Sequence, residues 1–375
     1  MGFMDNISAE GCGFDEYIEN YAGNTVVLYG RGQATDNTYE LLKKRGIVVK
    51  HALINQRFLK KGMKVCDLNV ESIEEFFSLT EEKVDVVVMI PSYKPEWLAP
   101  YKEKIHEVVF YDVAPALVTD KGNTSIRPFS FFAKKEEMLN EIYDCLSDEF
   151  SKKVLISYIN QLISGDFSSS DGLVRSVPYF ESDFIEFGNN EVFFDIGAFN
   201  GEDTERFFDC AGMGSKSIIF EPDKDNISLL NARLEKNDYI DSICIIDKAI
   251  YDKSGELFFS SDEGSGSGVS ESGDIVIPCT SIDDYVQSNE GIIPTYIKMD
   301  IEGAELNALK GGYETICKYS PKLAICVYHR PEDLFNIWAF IKSLRNVDYI
   351  YSFYMRRYSI SFRETVLYAM PRKTM

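Results

Sequence analysis

Five short groups of side chains carry the residue types that chemistry needs, and all lie in the second half of the chain. The first is Asp195-Ile-Gly-Ala-Phe-Asn-Gly201, a D-x-G-x-x-x-G turn after the apolar run Val192, Phe193, Phe194. Gly197 and Gly201 stand where a side chain would keep the backbone away from a ligand. A strand, a glycine turn and a helix start bind nucleotide-like ligands at the carboxyl end of a sheet. The second is Glu221, closing the strand Ser217-Ile-Ile-Phe220. An acid there suits both hydroxyls of a ribose. The third is Asp247-Lys248-Ala249, at the end of the next strand, where any of the three could flank an adenine. The fourth is Met299-Asp-Ile-Glu-Gly-Ala-Glu305. Asp300 ends a strand at the same sheet edge, and Glu302 and Glu305 open a helix, where capping would by itself explain Glu305. The fifth is His329, in Tyr328-His-Arg-Pro-Glu-Asp333. A histidine at that edge serves as general base or orients a hydroxyl.

The acid at Asp195 would repel a pyrophosphate and suits a ligand with a cationic amino group. The turn therefore favours S-adenosylmethionine over a dinucleotide. Asp300, Glu302 and Glu305 are also a possible cage for a divalent cation, although the sequence places no further ligand beside them.

These groups need a sheet to bring them together, and the apolar pattern supplies one. From Glu191 the chain reads as strands at 192–194, 217–220, 242–246, 296–300, 323–328, 349–355 and 365–369. Helices are expected at 225–235, 305–317 and 333–344. A hairpin-like insertion carries strands at 256–259 and 274–277 around the loop Gly264-Ser-Gly-Ser-Gly268. No helix separates the last two strands, so the mostly parallel sheet should have an antiparallel edge. Seven strands in this order match the α/β fold of class I methyltransferases.

The first 125 residues alternate strand and helix as well, which predicts a smaller Rossmann-like α/β domain. Strands are expected at 25–29, 47–54, 65–68, 84–90 and 108–111, and helices at 37–45, 70–79 and 97–105. Its turn, Tyr29-Gly-Arg-Gly32, lacks the third glycine of a dinucleotide site, and Asn55 stands where that site needs an acid. The turn loosely resembles the N-terminal domains of bacterial sugar acetyltransferases that bind nucleotide-sugars. Residues 126–185 read as a helical linker, with a loop at Asp166–Gly172, and 186–375 as the second domain.

Composition narrows the partners. The 375 residues carry a formal net charge of -21. So acidic a chain repels phosphate backbones, which argues against a nucleic-acid substrate. The eight cysteines have no metal-ligand spacing. Several sit among apolar residues, as Cys244 and Cys326 do, which reads as reduced core thiols in a cytoplasmic protein. No apolar run is long enough for a membrane span, and nothing at the N-terminus reads as a signal peptide. His51 and His106 read as ordinary residues of the first domain.

Phe194–Thr204, Phe220-Glu-Pro222, Ile297–Leu306 with Leu309-Lys-Gly-Gly312, and Tyr328-His329 together resemble the FkbM family of S-adenosylmethionine-dependent methyltransferases, over residues 149–372. The resemblance implies methyl transfer to oxygen, often on sugar hydroxyls of polyketides, capsules or lipopolysaccharide. It implies that Asp195, Gly197, Gly201 and Glu221 bind the cofactor and that Asp300, Glu302 and His329 face a sugar or nucleotide-linked sugar acceptor. Two other readings compete with it. One is a nucleotide-sugar-modifying enzyme of another type, working at the Gly30–Gly32 turn. The other is a regulatory protein that keeps a cofactor fold without catalysis. Formation of S-adenosylhomocysteine in the presence of a sugar acceptor separates the first reading from both.

Overall fold

The computed structural model describes residues 2–9, 13–90, 95–110, 127–165, 170, 172–212, 214–259, 275–346 and 348–374. Cys12, Tyr111, Asp166 and the Gly264–Gly268 loop, each part of the reading above, lie outside them. The chain divides into two compact units. One comprises Met1–Asn140, Lys153–Val174 and Ser359–Arg363, the other Glu141–Lys152, Arg175–Tyr358 and Glu364–Met375.

The first unit is built on a six-stranded sheet. Its strands are β1 (Thr25–Tyr29), β2 (Val49–Ile54), β3 (Lys64–Val65), β4 (Leu68–Ser72), β5 (Val84–Val88) and β6 (Ile105–Phe110), in the order β3-β4-β2-β1-β5-β6. All pairs are parallel except β3 with β4. Successive residues of a strand point to opposite faces, so a continuous apolar run fills two cores at once. Val26 and Leu28 enter one cluster, Val27 and Tyr29 the other. Helices α1 (Gly13–Glu19), α2 (Gln33–Lys44) and α3 (Ile73–Leu79) accompany the sheet. The helix expected over 70–79 starts later, because Leu68–Ser72 pairs with β2 and Ser72 then caps α3 by accepting from Glu75 N. The helix expected over 97–105 is two 3-10 turns, Pro95–Trp97 and Ala99–Lys104, and the chain enters β6 at Ile105. Pro100 near the start of the second turn fits an N-terminal helical position but gives no donor to extend it.

Between the two sheets in sequence come α4 (Phe129–Ala133), α5 (Glu136–Cys145) and α6 (Glu149–Ser164). The second unit then holds a seven-stranded sheet of β7 (Val192–Ile196), β8 (Lys216–Phe220), β9 (Ile243–Ile246), β13 (Tyr296–Met299), β14 (Lys322–Cys326), β15 (Tyr349–Arg357) and β16 (Thr365–Lys373). Between β9 and β13 lie β10 (Ala249–Ile250), β11 (Gly255–Phe259) and β12 (Ile275–Thr280), a small sheet of their own in the order β10-β12-β11. The large sheet runs β15-β16-β14-β13-β7-β8-β9. β16 is antiparallel to both its neighbours, β14 and β15, while the other pairs are parallel. The antiparallel strand thus lies one place in from the edge, which leaves β15 running with the rest.

Helices α7 (Glu202–Ala211), α8 (Lys224–Leu234), α9 (Ile282–Ser288), α10 (Glu305–Lys310), α11 (Tyr313–Tyr319) and α12 (Asp333–Ser343) complete the unit. The helix expected over 305–317 is broken into α10 and α11. The break falls at Gly311 and Gly312, and a Cβ at Gly311 would lie 2.1 Å from the backbone oxygen of Tyr251, so only glycine fits there. Cys326 is buried as expected, but Cys244 is exposed, because β9 is an edge strand. Among the described residues, no helix is long and apolar enough to cross a membrane.

Candidate active site

β7 sits where the strand order reverses, with β8 and β9 on one side and β13 and β14 on the other. Such a switch point opens a crevice at the carboxyl ends of the parallel strands. A cavity of about 540 Å³ lies there. Of the residues singled out in the sequence, Gly197, Glu221, Ala249, Asp300 and Glu302 line it. Gly201 and His329 stand behind these residues, and Asp247 and Lys248 are exposed outside the lining. The lining also includes Phe199, Asn226, Tyr251, Asn307 and Arg330, which sequence reasoning missed. Tyr251, Leu257 and Ile277 come from the small sheet and its flank, whose approach to the large sheet has no local sequence signal.

Asp195 departs from expectation. It lies inside β7 rather than after it, is wholly buried, and does not line the cavity. One carboxylate oxygen accepts from Thr204 Oγ1 at 2.8 Å, and the other from Lys298 Nζ at 3.1 Å. Lys298 is itself 2 % exposed and also donates to the Gly197 carbonyl at 2.6 Å. Asp203, at the start of α7, approaches the same ammonium at 3.4 Å. Asp195 therefore meets its cation inside the protein, in Lys298, which also ties down the Gly197 turn. Lys298 was invisible in the sequence, where it reads as one polar residue in an apolar strand.

The two glycines are also required by the protein, in different ways. Gly197 has φ +82°, and a Cβ on it would lie 2.1 Å from the Asp300 carbonyl oxygen, so β7 and β13 could not close at their ends. Gly201, with φ +81°, caps α7, and a Cβ would meet Leu230 of α8 at 2.9 Å. Its smallness is required by helix packing, a demand that the sequence reading did not include.

Glu221 is 5 % exposed and accepts from the backbone N–H groups of Phe199 at 3.1 Å and Asp223 at 3.0 Å. Burial raises its carboxyl pKa, and those two donors counter the rise. The Asn226 side chain, also in the cavity lining, donates to the same carboxylate and helps to hold it.

At the other end of the cavity Asp300 accepts from Tyr179 Oη at 3.0 Å and from Tyr328 Oη at 2.9 Å. Burial works against its charge, but His329, Lys298 and the two tyrosines outweigh it and hold the carboxyl below its usual range. His329 Nε2 lies 3.4 Å from Asp300 Oδ1 and 3.6 Å from Glu302 Oε2, and Nδ1 lies 3.0 Å from Glu305 Oε1. Burial would pull the imidazole down; Glu305, Asp300 and Glu302 reverse this and push it up to about 9. The three carboxylates around the ring thus favour its protonated form. Glu305 plays the capping part foreseen for it, accepting from Ile301 N at 2.9 Å, but it is wholly buried. Glu302 holds a left-handed backbone at φ +54°, rare for a glutamate, before Gly303 at φ +92°.

Comparison with known proteins agrees with this arrangement. Residues 195–351 match the family model described as the methyltransferase FkbM domain. A solved structure of the methyltransferase FkbM from Methylobacillus flagellatus KT is similar, with TM-score 0.69 and 21% identity, over 98% of this chain and 95% of that one. That likeness extends the shared fold across both units. Two solved structures overlap less. The precorrin-6y C5,15-methyltransferase from Geobacter metallireducens GS-15 has TM-score 0.32 and 8% identity, over 55% of this chain and 96% of that one. A methyltransferase from Geobacter sulfurreducens has TM-score 0.30 and 12% identity, over 75% and 98%. No curated protein matches the chain. The stretch similar to the methyltransferase FkbM domain, residues 195–351, contains every residue that lines the switch-point cavity at the strand ends.

Proposed function

We propose that this protein transfers a methyl group from S-adenosylmethionine to a hydroxyl of a sugar acceptor. The carrying observation is that one cavity is lined both by apolar side chains and by acids and amides, which this proposal divides into two halves. Phe220, Ile250, Leu257 and Ile277 give one half an apolar wall, with Glu221 at its side. Asp300, Glu302, Asn307 and Arg330 make the other half polar. The first half fits the cofactor: an adenine against the apolar wall, and ribose hydroxyls at Glu221. The volume is within the range of small-molecule sites. The bound cofactor supplies an electrophilic methyl on a sulfonium.

The polar half, with the exposed ring of Phe199 at its rim, suits a hydroxyl-rich acceptor. The proton acceptor in this proposal is the Asp300 carboxylate, which lines the cavity while His329 stands behind it. His329 keeps Asp300 ionised, and the tyrosine hydroxyls fix its direction. A hydroxyl loses its proton only as the carbon–oxygen bond forms, so alignment matters more than base strength. Asp300→Asn is expected to lower kcat by about 10²–10⁴-fold with S-adenosylhomocysteine affinity unchanged. Loss of that affinity would move Asp300 to the cofactor half.

Glu221→Ala should weaken S-adenosylhomocysteine binding by roughly 1–3 kcal/mol in calorimetry. Unaltered binding would remove Glu221 from the ribose site. The reaction itself is tested by incubating the protein and S-adenosylmethionine with a panel of nucleotide-sugars and glycan intermediates and measuring S-adenosylhomocysteine. Product formed with a sugar acceptor supports the reading. Binding of the cofactor without turnover on any acceptor of the panel would argue for the non-catalytic alternative.

A further inference from the structure

The side chains around His329 do not satisfy one another. Among the described residues, neither ring nitrogen has a well-aligned hydrogen-bond partner, and Glu305 Oε2 is also buried without one. The 3.0 Å approach of Nδ1 to Glu305 Oε1 is therefore a charge contact, off the hydrogen-bond axis. The His329 side chain is 8 % exposed and that of Glu305 0 %. Buried polar atoms are rarely left so, and exceptions often mark an ion that belongs there.

The spacing points to which ion. Nε2 is 3.4 Å from Asp300 Oδ1 and 3.6 Å from Glu302 Oε2. These separations are long for hydrogen bonds. A cation with bonds of about 2.1 Å holds adjacent octahedral ligand atoms about 3.0 Å apart, so Nε2 and the two oxygens would each draw in by a few tenths of an ångström on binding it. Asp300, Glu305 and His329 each offer a ligand atom within 4.8 Å of the others. The supporting shell is in place: Tyr179 and Tyr328 donate to Asp300, and Glu305 stands at the ring nitrogen opposite Nε2. A carboxylate behind a histidine is the usual device for aiming its other nitrogen at a metal. The left-handed backbone of Glu302 fixes the place from which its carboxylate reaches Nε2.

We propose that His329 Nε2, Asp300 and Glu302 form a three-ligand site for a hard divalent cation, of the magnesium or manganese kind, with Glu305 orienting the imidazole from behind. Carboxylate oxygens dominate the donor set and there is no thiolate, which selects such ions. Asp300 and Glu302 line the cavity, so the remaining coordination positions face it and take water or a hydroxyl oxygen. The site's existence stands on these contacts alone. Its role, holding the acceptor hydroxyl, rests on the methyl-transfer reading above.

The test is a manganese titration of chelator-treated full-length protein, following the loss of the free-ion electron paramagnetic resonance signal, with magnesium as competitor. One displaceable site per chain is expected. Asp300→Asn, which keeps the shape of the side chain, and His329→Ala should abolish it. Glu305→Gln should weaken it by about 10–100-fold. His106→Ala tests the other cluster of Asp85, His106 and Glu107, in the first unit, and should change nothing. Circular dichroism confirms that each variant is folded. No binding by the wild-type protein, equal binding by folded Asp300→Asn and His329→Ala, or loss in His106→Ala would each overturn the proposal. S-adenosylhomocysteine binding is measured on the same preparations. Manganese bound without the nucleoside would leave the cation site standing and count against the methyl-transfer reading; the nucleoside bound without manganese would do the reverse.

Discussion

Gly197→Val should leave little folded protein. A Cβ at this position would lie 2.1 Å from the Asp300 carbonyl oxygen, 2.9 Å from the Ile301 side chain, and on a backbone with φ +82°. The first contact is with backbone at the end of the neighbouring strand, so no side-chain rotation relieves it. Prising β7 from β13 would also disturb the bond from Asp300 N to the Ile196 carbonyl, 3.1 Å long. We expect a loss of roughly 3–5 kcal/mol, a large share of the stability of an ordinary domain. Gly197→Ala should cost nearly as much, since the Cβ itself is at fault. Gly212→Ala is the control. Its φ is +73°, but a Cβ there has nothing within 4 Å. It should cost about 1–2 kcal/mol from the backbone alone. Urea unfolding of the three variants decides the matter. Equal losses in Gly197→Ala and Gly212→Ala would show that the close approach of the two strands is not what requires the glycine.

Lys298→Met should be nearly as severe, for an electrostatic reason. The Lys298 ammonium is the shared partner of Asp195, wholly buried, and Asp203. Burial would lower the lysine pKa, but these two carboxylates and Asp300 more than reverse it, so it is charged in the fold. Methionine fills similar volume and leaves Asp195 without its cation and Asp203 with Arg206 alone, 3.4 Å away. Breaking a buried pair in this way costs about 3–5 kcal/mol. The loss should depend on pH with a definite sign. Burial already pushes the Asp203 carboxyl up to about 6 in the wild type, against a reference of 3.8. A carboxyl raised by folding stabilises the fold fully below its unfolded value, and that contribution fades as pH rises through its folded value. Without Lys298 the folded value rises further. The deficit of Lys298→Met relative to wild type should therefore be large at pH 7 and shrink toward pH 4. Unfolding curves at several pH values measure it. A deficit that stayed constant or grew on acidification would show that the lysine matters through packing and not through charge.

Both predictions concern residues whose importance the sequence conveyed unevenly. The alternation of apolar runs and glycine turns determined the α/β class, the seven strands of the second sheet and the location of the ligand edge. Those features are local: strand runs, turn glycines and strand-end acids can be read wherever neighbours in sequence are neighbours in space. Glu221, Asp300, Glu302 and the Gly197 turn were found for that reason, each sitting at or just beyond the end of a strand.

Other features depended on segments far apart in the chain. Asp195 looked like a ligand-facing acid because its own neighbours gave no hint of Lys298, a hundred residues on and one strand away. At Gly201 the demand set by α8 packing against it could not be read from the turn. The α10–α11 break was hidden because Gly311 yields to the backbone at Tyr251, contributed by the small sheet's flank. That sheet also supplied Tyr251, Leu257 and Ile277 to the cavity without any motif. His329 was placed at the right edge by its position after a strand. Its charge state was set by Glu305, Asp300 and Glu302 closing around it in a buried setting. Local sequence fixes which groups are present and which way each strand delivers them. Charge, burial and close approach are sums over whatever the fold brings near, and these were decided by the tertiary structure alone.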